Sequence, residues 1–211
     1  MSRRVPERDA PLDPATTAVL VIDVQKGIFH SGAAEARPYF HRTATEVAVP
    51  NIVRLIEAAR AAGAEVVYTV IESLTHDGRD RSLDYKQTGF HFPPGSREAE
   101  ICDEVRPRPD EIVLPKTSSS LFNSTVFEYL MRNIGIDTVV VTGFLTDQCI
   151  DHTVRDGADR GFRMVCAADA CTTDSEARQK NALSAFKGYC RTASTGPLVR
   201  ELKELRHVRC P

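Results

Sequence analysis

The run Thr138-Val139-Val140-Val141 is short and wholly β-branched. A strand of this make-up suits a sheet covered on both faces, which means parallel strands with helices packed above and below. Residues 18–24, 65–71, 111–114 and 163–168 repeat the character, and residues 189–194 offer a final strand. Between them lie helical patterns. Ile52, Leu55, Ile56 and Ala59 follow one face of a helix opened by Pro50 and closed by Gly63. Phe127, Leu130, Met131 and Ile134 mark a second, capped by Asn123 or Ser124 and stopped at Gly135. Ile150, Val154 and Ala158 mark a third, ending at Gly161, followed by a polar helix over 175–187 and a last helix from Leu198 to Leu205 with Pro197 at its start. The order β-α-β-(loop)-β-α-β-α-β-α-β-α predicts an α/β fold. It is a single-domain three-layer sandwich with a mostly parallel central sheet flanked by helices.

Residues 1–14, with three prolines, read as an irregular N-terminal arm, and 15–211 as the domain. Residues 25–47 read as loop, with Phe29, Tyr39 and Phe40 placed to line a pocket or to cover the core. Residues 72–110 form a long irregular connection rich in charge, and such connections are more often functional than idle. A net charge of −2 without a basic stretch argues against nucleic acid. No apolar run nears the roughly 20 residues that span a membrane. The start lacks the apolar segment of a secretory signal. The six cysteines form no C-x-x-C pair and read as reduced thiols of a cytoplasmic protein. The six histidines show no zinc spacing, and no phosphate-binding glycine motif occurs. No cofactor and no metal are expected.

Three chemically active side chains fall at the carboxyl ends of three strands: Asp23, Lys116 and Cys149. Ligands of open α/β sheets collect at that edge. Gly143 ends the central strand, and Thr146 can cap the next helix, which puts Cys149 at its third position. There the helix dipole and free N–H groups favour a thiolate and can hold an oxyanion. Asp23 can take the thiol proton, and Lys116 can stabilise developing charge.

The segments Val21-Ile22-Asp23-Val24-Gln25, Pro115-Lys116-Thr117-Ser118-Ser119-Ser120-Leu121-Phe122 and Gly143-Phe144-Leu145-Thr146-Asp147-Gln148-Cys149 resemble, in this order, the motifs of the isochorismatase-like cysteine hydrolases. The resemblance covers about residues 15–200. It implies an α/β fold with an Asp-Lys-Cys triad and a non-proline cis peptide at Phe144–Leu145. That bond would aim the Leu145 and Cys149 N–H groups at a substrate oxyanion. Family nicotinamidases hold a metal through an Asp-x-His pair, which Ile71-Glu72-Ser73-Leu74-Thr75-His76-Asp77 lacks. True isochorismatases lack the nucleophilic cysteine. What is left resembles the branch acting on N-carbamoylsarcosine, ureidoacrylate and biuret.

The expected activity is hydrolysis of a C–N bond in a small linear amide, ureido or carbamoyl compound. It passes through a thioester on Cys149 and releases ammonia or amine. Gln25, Phe29, Arg81, Lys86, Ser119 and Gln148 are the candidate substrate contacts, with Arg81 and Lys86 the basic partners for an anion. The resemblance also implies a homodimer or tetramer. The rival readings are an isochorismatase-type or other small-molecule hydrolase, a non-catalytic binding member, and a redox protein using Cys149.

Overall fold

The computed structural model describes residues 7–30 and 33–204. Much of the N-terminal arm, Gly32, Leu205 and Cys210 lie outside the described residues. Among the described residues six strands make one sheet: β1 Thr17–Ile22, β2 Glu65–Ile71, β3 Ile112–Lys116, β4 Thr138–Phe144, β5 Arg163–Thr172 and β6 Arg191–Ala193. Their spatial order is β3-β2-β1-β4-β5-β6. Every pairing is parallel, so the sheet is all-parallel rather than mostly so.

Side chains alternate along each strand, so one strand feeds two cores. Val19 and Val21 of β1 join Val66, Tyr68, Val140 and Val165 on one face. There Ile52, Leu55 and Ile56 of helix Val49–Ala62 cover them, with Leu198 and Leu202 of helix Thr195–Glu204. Ala18, Leu20 and Ile22 join Val67, Val139 and Val141 on the other. Their cover is Phe127 and Met131 of helix Phe127–Asn133, Val154 of helix Asp151–Asp159, and Ala182 of helix Glu176–Ala185. Thus β1 and β4 are buried along their whole length, which is why they carry no polar alternation. No helix among the described residues is long and apolar enough to cross a membrane.

Several local expectations are corrected. Residues 25–47 are not loop but short helices, Lys26–Phe29, Ala33–Ala36 and Pro38–Thr43. Pro50 lies in the first turn of helix Val49–Ala62, as expected, but the chain before it is already helical. A wide turn, Ala44–Ala48, joins Pro38–Thr43 to Val49–Ala62. A proline ring clashes with the carbonyl four residues back, and widening the preceding turn relieves this. The helical start is Pro38, at a first-turn position. Neither Asn123 nor Ser124 caps helix Phe127–Asn133, whose N-cap is Val126 without a side-chain bond; Ser120 caps a separate short helix, Leu121–Ser124, by accepting from the Phe122 N–H. The segment after β3 thus breaks in two, and Ile134 is exposed instead of joining the Phe127 stripe.

Gly143 does not end β4 but lies inside it with φ +112°. A Cβ there would strike the Ile22 carbonyl, so only glycine lets β4 run this close to β1. Strand β5 runs on through Cys171 and Thr172, expected as loop. Val141 pairs with Cys166 but Gly143 with Cys171, so β5 bulges between the two contacts.

Candidate active site

Strands β1, β2 and β3 step one way across the sheet, and β4, β5 and β6 step the other. The direction reverses between β1 and β4, and this opens a crevice at their carboxyl ends. Asp23 follows β1 directly, Cys149 lies five residues past β4, and Lys116 is the last residue of β3. Asp23 sits in the left-handed region, φ +55°, a conformation an aspartate tolerates better than most residues. Its backbone N–H still reaches Thr69 O at 3.1 Å.

The three side chains meet. Lys116 Nζ lies 2.9 Å from Asp23 Oδ2 and 3.3 Å from Cys149 Sγ. It also donates to the Tyr85 hydroxyl at 2.8 Å and to Ser118 O at 3.1 Å. The Thr69 hydroxyl donates to Asp23 Oδ1 at 2.9 Å. Asp23 Oδ2 thus faces the ammonium and neighbours the Cys149 thiol, where it can accept that proton. All of this is buried: Asp23 is 1% exposed, Lys116 0% and Cys149 4%. Isolated charges would not survive there, so each is held by the other. Burial pulls the Lys116 pKa down, but Asp23, Cys149 and Tyr85 outweigh it and raise the value well above that of an ordinary lysine.

The cysteine turn differs from the expectation. Leu145, not Thr146, is the N-cap of a wide turn, Thr146–Ile150. The Thr146 hydroxyl is buried with no partner among the described residues, so it caps nothing. Cys149 therefore sits one place deeper in the turn. The Leu145 carbonyl accepts from Gln148 and from Ile150. The Phe144–Leu145 peptide is cis. Burial pushes the Cys149 pKa up to about 11; Lys116 draws it down, and Asp23 pushes it up. Burial and Asp23 thus favour the thiol, and Lys116 the thiolate.

Cys149 opens on a small cleft lined by Asp23, Ile28, Arg37, Ile71, Phe90, Phe144, Leu145, Gln148 and itself. Its volume is about 20 Å³, room for roughly one water molecule. Of the six expected substrate contacts only Gln148 lines it. Gln25 is fully buried and spent on backbone: its amide accepts from Ile71 N at 2.6 Å and donates to Ile71 O at 3.0 Å and Glu98 O at 3.1 Å. Phe29 is core, packed 6.1 Å from the Phe144 ring. Arg81 donates to Gly78 O, Tyr85 O and Phe90 O. Lys86 donates to Arg79 O. Ser119 is half-buried outside the cleft lining.

Two residues that sequence reasoning passed over belong to the site. Tyr85 is 1% exposed, in helix Leu83–Thr88, with its hydroxyl 2.8 Å from Lys116 Nζ and 3.6 Å from Cys149 Sγ. Burial raises its pKa far above that of an ordinary tyrosine. Its signal was Ser82, which caps that helix by accepting from Tyr85 N. Arg37 lines the cleft, and its signal was Pro38, which marks a helix start just after it.

As for a metal, His30, Cys102 and Glu104 have ligand atoms within 4.8 Å of one another. None of them lines the Cys149 cleft. Burial pushes the Cys102 pKa up to about 12, so a metal would first have to displace a firmly held proton.

The isochorismatase domain model matches residues 17–196. The ureidoacrylate amidohydrolase of Methylobacterium radiotolerans is 30% identical over 192 residues, covering 79% of this chain and 71% of that one. The N-carbamoylsarcosine amidase of an Arthrobacter species is 34% identical over 128 residues, 57% of this chain and 47% of that one. The crystal structure of N-carbamoylsarcosine amidase from Thermoplasma acidophilum superposes with TM-score 0.71 at 27% identity, covering 85% of this chain and 96% of that chain. A cysteine hydrolase from Pseudomonas syringae pv. phaseolicola reaches TM-score 0.84 at 24% identity, over 97% of this chain and all of that one, a likeness of fold. A cysteine, a lysine and an aspartate packed at the switch point of a parallel sheet, inside a domain matched over nearly its whole length, place this chain in the isochorismatase-like family of cysteine hydrolases.

Proposed function

We propose that the protein hydrolyses the C–N bond of a small linear amide, ureido or carbamoyl compound through a thioester on Cys149. The observation that carries this is the contact of Cys149 Sγ with Lys116 Nζ at 3.3 Å, with Asp23 Oδ2 on the same ammonium at 2.9 Å. A thiol held neutral by burial needs a base at the moment of attack, and Asp23 is the carboxylate at hand.

Cys149 Sγ bonds to the substrate carbonyl carbon as its proton passes to Asp23. The carbonyl oxygen becomes an oxyanion held by the backbone N–H groups of Leu145 and Cys149. Lys116 keeps the charge of the emerging thiolate compensated. The intermediate collapses, the C–N bond breaks, and Asp23 returns its proton to the leaving ammonia or amine. Water then gives a proton to Asp23 and its oxygen to the thioester carbon, and Cys149 leaves as thiol with that proton. A cytoplasmic setting and a homodimeric or tetrameric state belong to the same proposal. Sedimentation equilibrium would read the latter, with a mass above the monomer expected.

The test is ammonia release by wild type and Cys149→Ala across a panel of small amides, ureides and nicotinamide. Release by wild type alone is expected, with the variant down by on the order of a thousandfold or more. Equal release by both proteins would remove Cys149 from the reaction.

A further inference from the structure

The cleft has apolar walls in Ile28, Ile71, Phe90 and Phe144, and one cationic side chain besides the Lys116 behind Cys149: Arg37. Lys116 has no donor to spare, because Asp23, Tyr85, Ser118 O and Cys149 surround its ammonium. Arg37 differs. Its Nε donates to Asp174 Oδ1 at 2.6 Å, and its guanidinium lies 4.0 Å over the Phe40 ring. Phe40 in turn packs edge-on to Phe144 at 4.9 Å, so the guanidinium plane is fixed against the cleft wall. Asp174 also accepts from Arg178 at 2.7 Å, so its charge is divided between two arginines. Among the described residues Arg37 Nη2 is buried and has no acceptor. Its side chain as a whole keeps 28% exposure, so it spans from solvent to cleft.

A buried guanidinium N–H without an acceptor is costly, and a planar fork beside an apolar wall suits a carboxylate. We infer that Arg37 is the specificity residue that receives a carboxylate on the substrate's far end, so that the enzyme selects amides and ureides bearing an acid group. This rests on the hydrolase reading for the reacting end of the substrate, while the binding claim stands on Arg37 itself. The relatives point the same way: ureidoacrylate and N-carbamoylsarcosine, named for two of them, both carry a carboxylate.

The experiment uses two matched probes, N-carbamoylglycine and its uncharged amide, N-carbamoylglycinamide. Calorimetry with Cys149→Ala protein measures binding without turnover. The acid is expected to bind at least tenfold more tightly than the amide. Arg37→Met in the same background should erase that preference and leave amide binding within about twofold, and Arg37→Lys should keep part of it. Equal affinity for the two probes in the parent, a preference that survives Arg37→Met, or binding of neither probe would overturn the inference. Melting curves check that each variant is folded, and Arg37→Lys carries the test if Arg37→Met does not fold. Turnover of the same probes by the protein with Cys149 intact separates the two claims. Arg37-dependent binding without hydrolysis keeps this inference and removes the hydrolase reading. Hydrolysis of both probes at equal kcat/KM, with no acid preference in binding, keeps the hydrolase reading and removes this inference.

Discussion

Two regions of this molecule are dense in charge, and they use it in opposite ways. At the carboxyl edge of the sheet, Asp23, Lys116, Cys149 and Tyr85 are sealed from solvent and face one another. In the loop over 72–90, Asp80 accepts from Leu74 N and from Thr75, Arg81 donates to three carbonyls, and Lys86 to one. The loop's polar groups are spent on the loop's own backbone. The edge side chains find one backbone group, Ser118 O, and otherwise satisfy one another, because the strands that carry them are already paired in the sheet. Side chains that must satisfy each other form a reactive group, whereas side chains that satisfy backbone form a scaffold.

The sharpest break in this comparison is Lys116→Met. It leaves Asp23 buried with only Thr69 as a side-chain donor. Removing one partner of a buried pair costs about 3–5 kcal/mol. Urea unfolding should read that loss, and turnover should vanish with it. A variant more stable than wild type would mean that burying the ammonium costs more than its contacts return. The same substitution shifts the thiol. Burial lifts Cys149 from an ordinary 9.0 to about 11, against the downward pull of Lys116. Alkylation by iodoacetamide, followed by mass spectrometry at Cys149, should therefore keep rising between pH 9 and about 11 in wild type, and later still in the variant. The stability from keeping this thiol neutral is whole below pH 9 and is lost as pH climbs to about 11. A rate that levels off near pH 8 would show a thiolate at rest.

A smaller effect is expected for Tyr85→Phe, which removes only the hydroxyl. The lost hydrogen bond to a charged partner is worth about 1.5–3 kcal/mol, and Lys116 keeps its contacts to Asp23 and Ser118. Turnover should fall while KM changes little, since Tyr85 touches the reacting thiol and does not line the cleft. A rise in KM alone would move Tyr85 out of the charge cluster.

These two residues also mark what the sequence could and could not tell. Asp23 and Lys116 were legible because each closes a largely apolar run, and Cys149 because it lies in the turn that follows one, and a parallel sheet brings such ends together. The strands themselves were legible for the same reason, and only their ends moved: β1 stops at Ile22, β3 runs on to Lys116, β4 through Gly143, β5 through Cys171, and β6 shrinks to Arg191–Ala193. Tyr85 was hidden because its neighbours Asp84 and Lys86 are exposed and polar, so no periodicity marked it as the one residue turned inward. Arg37 was hidden because the helices before and after it are too short to show a face. Gln25 read as a substrate contact because it adjoins Asp23. Nothing in the chain says that its amide would complete the end of β2 instead.

The smallest effects separate Arg81 from Lys86. Lys86 is exposed and makes one bond to Arg79 O, so Lys86→Ala should shift stability within about ±0.5 kcal/mol and leave kinetics unchanged. Arg81 ties Gly78, Tyr85 and Phe90 together by their carbonyls, and Phe90 lines the cleft. Arg81→Ala should cost about 1–2 kcal/mol, the sum of modest net hydrogen bonds. It acts on the reaction only by letting Tyr85 and Phe90 shift, so kcat should fall several-fold with KM within about twofold. The opposite pattern is as informative. If either substitution raises KM tenfold for an acid substrate while urea midpoints stay fixed, the loop's cations reach the substrate. The division between a reactive edge and a self-satisfied scaffold would then fail at the loop first. Arg37, bound to Asp174 but with Nη2 unclaimed among the described residues, lies between the two classes. Its response measured alongside Arg81 would show which class it joins.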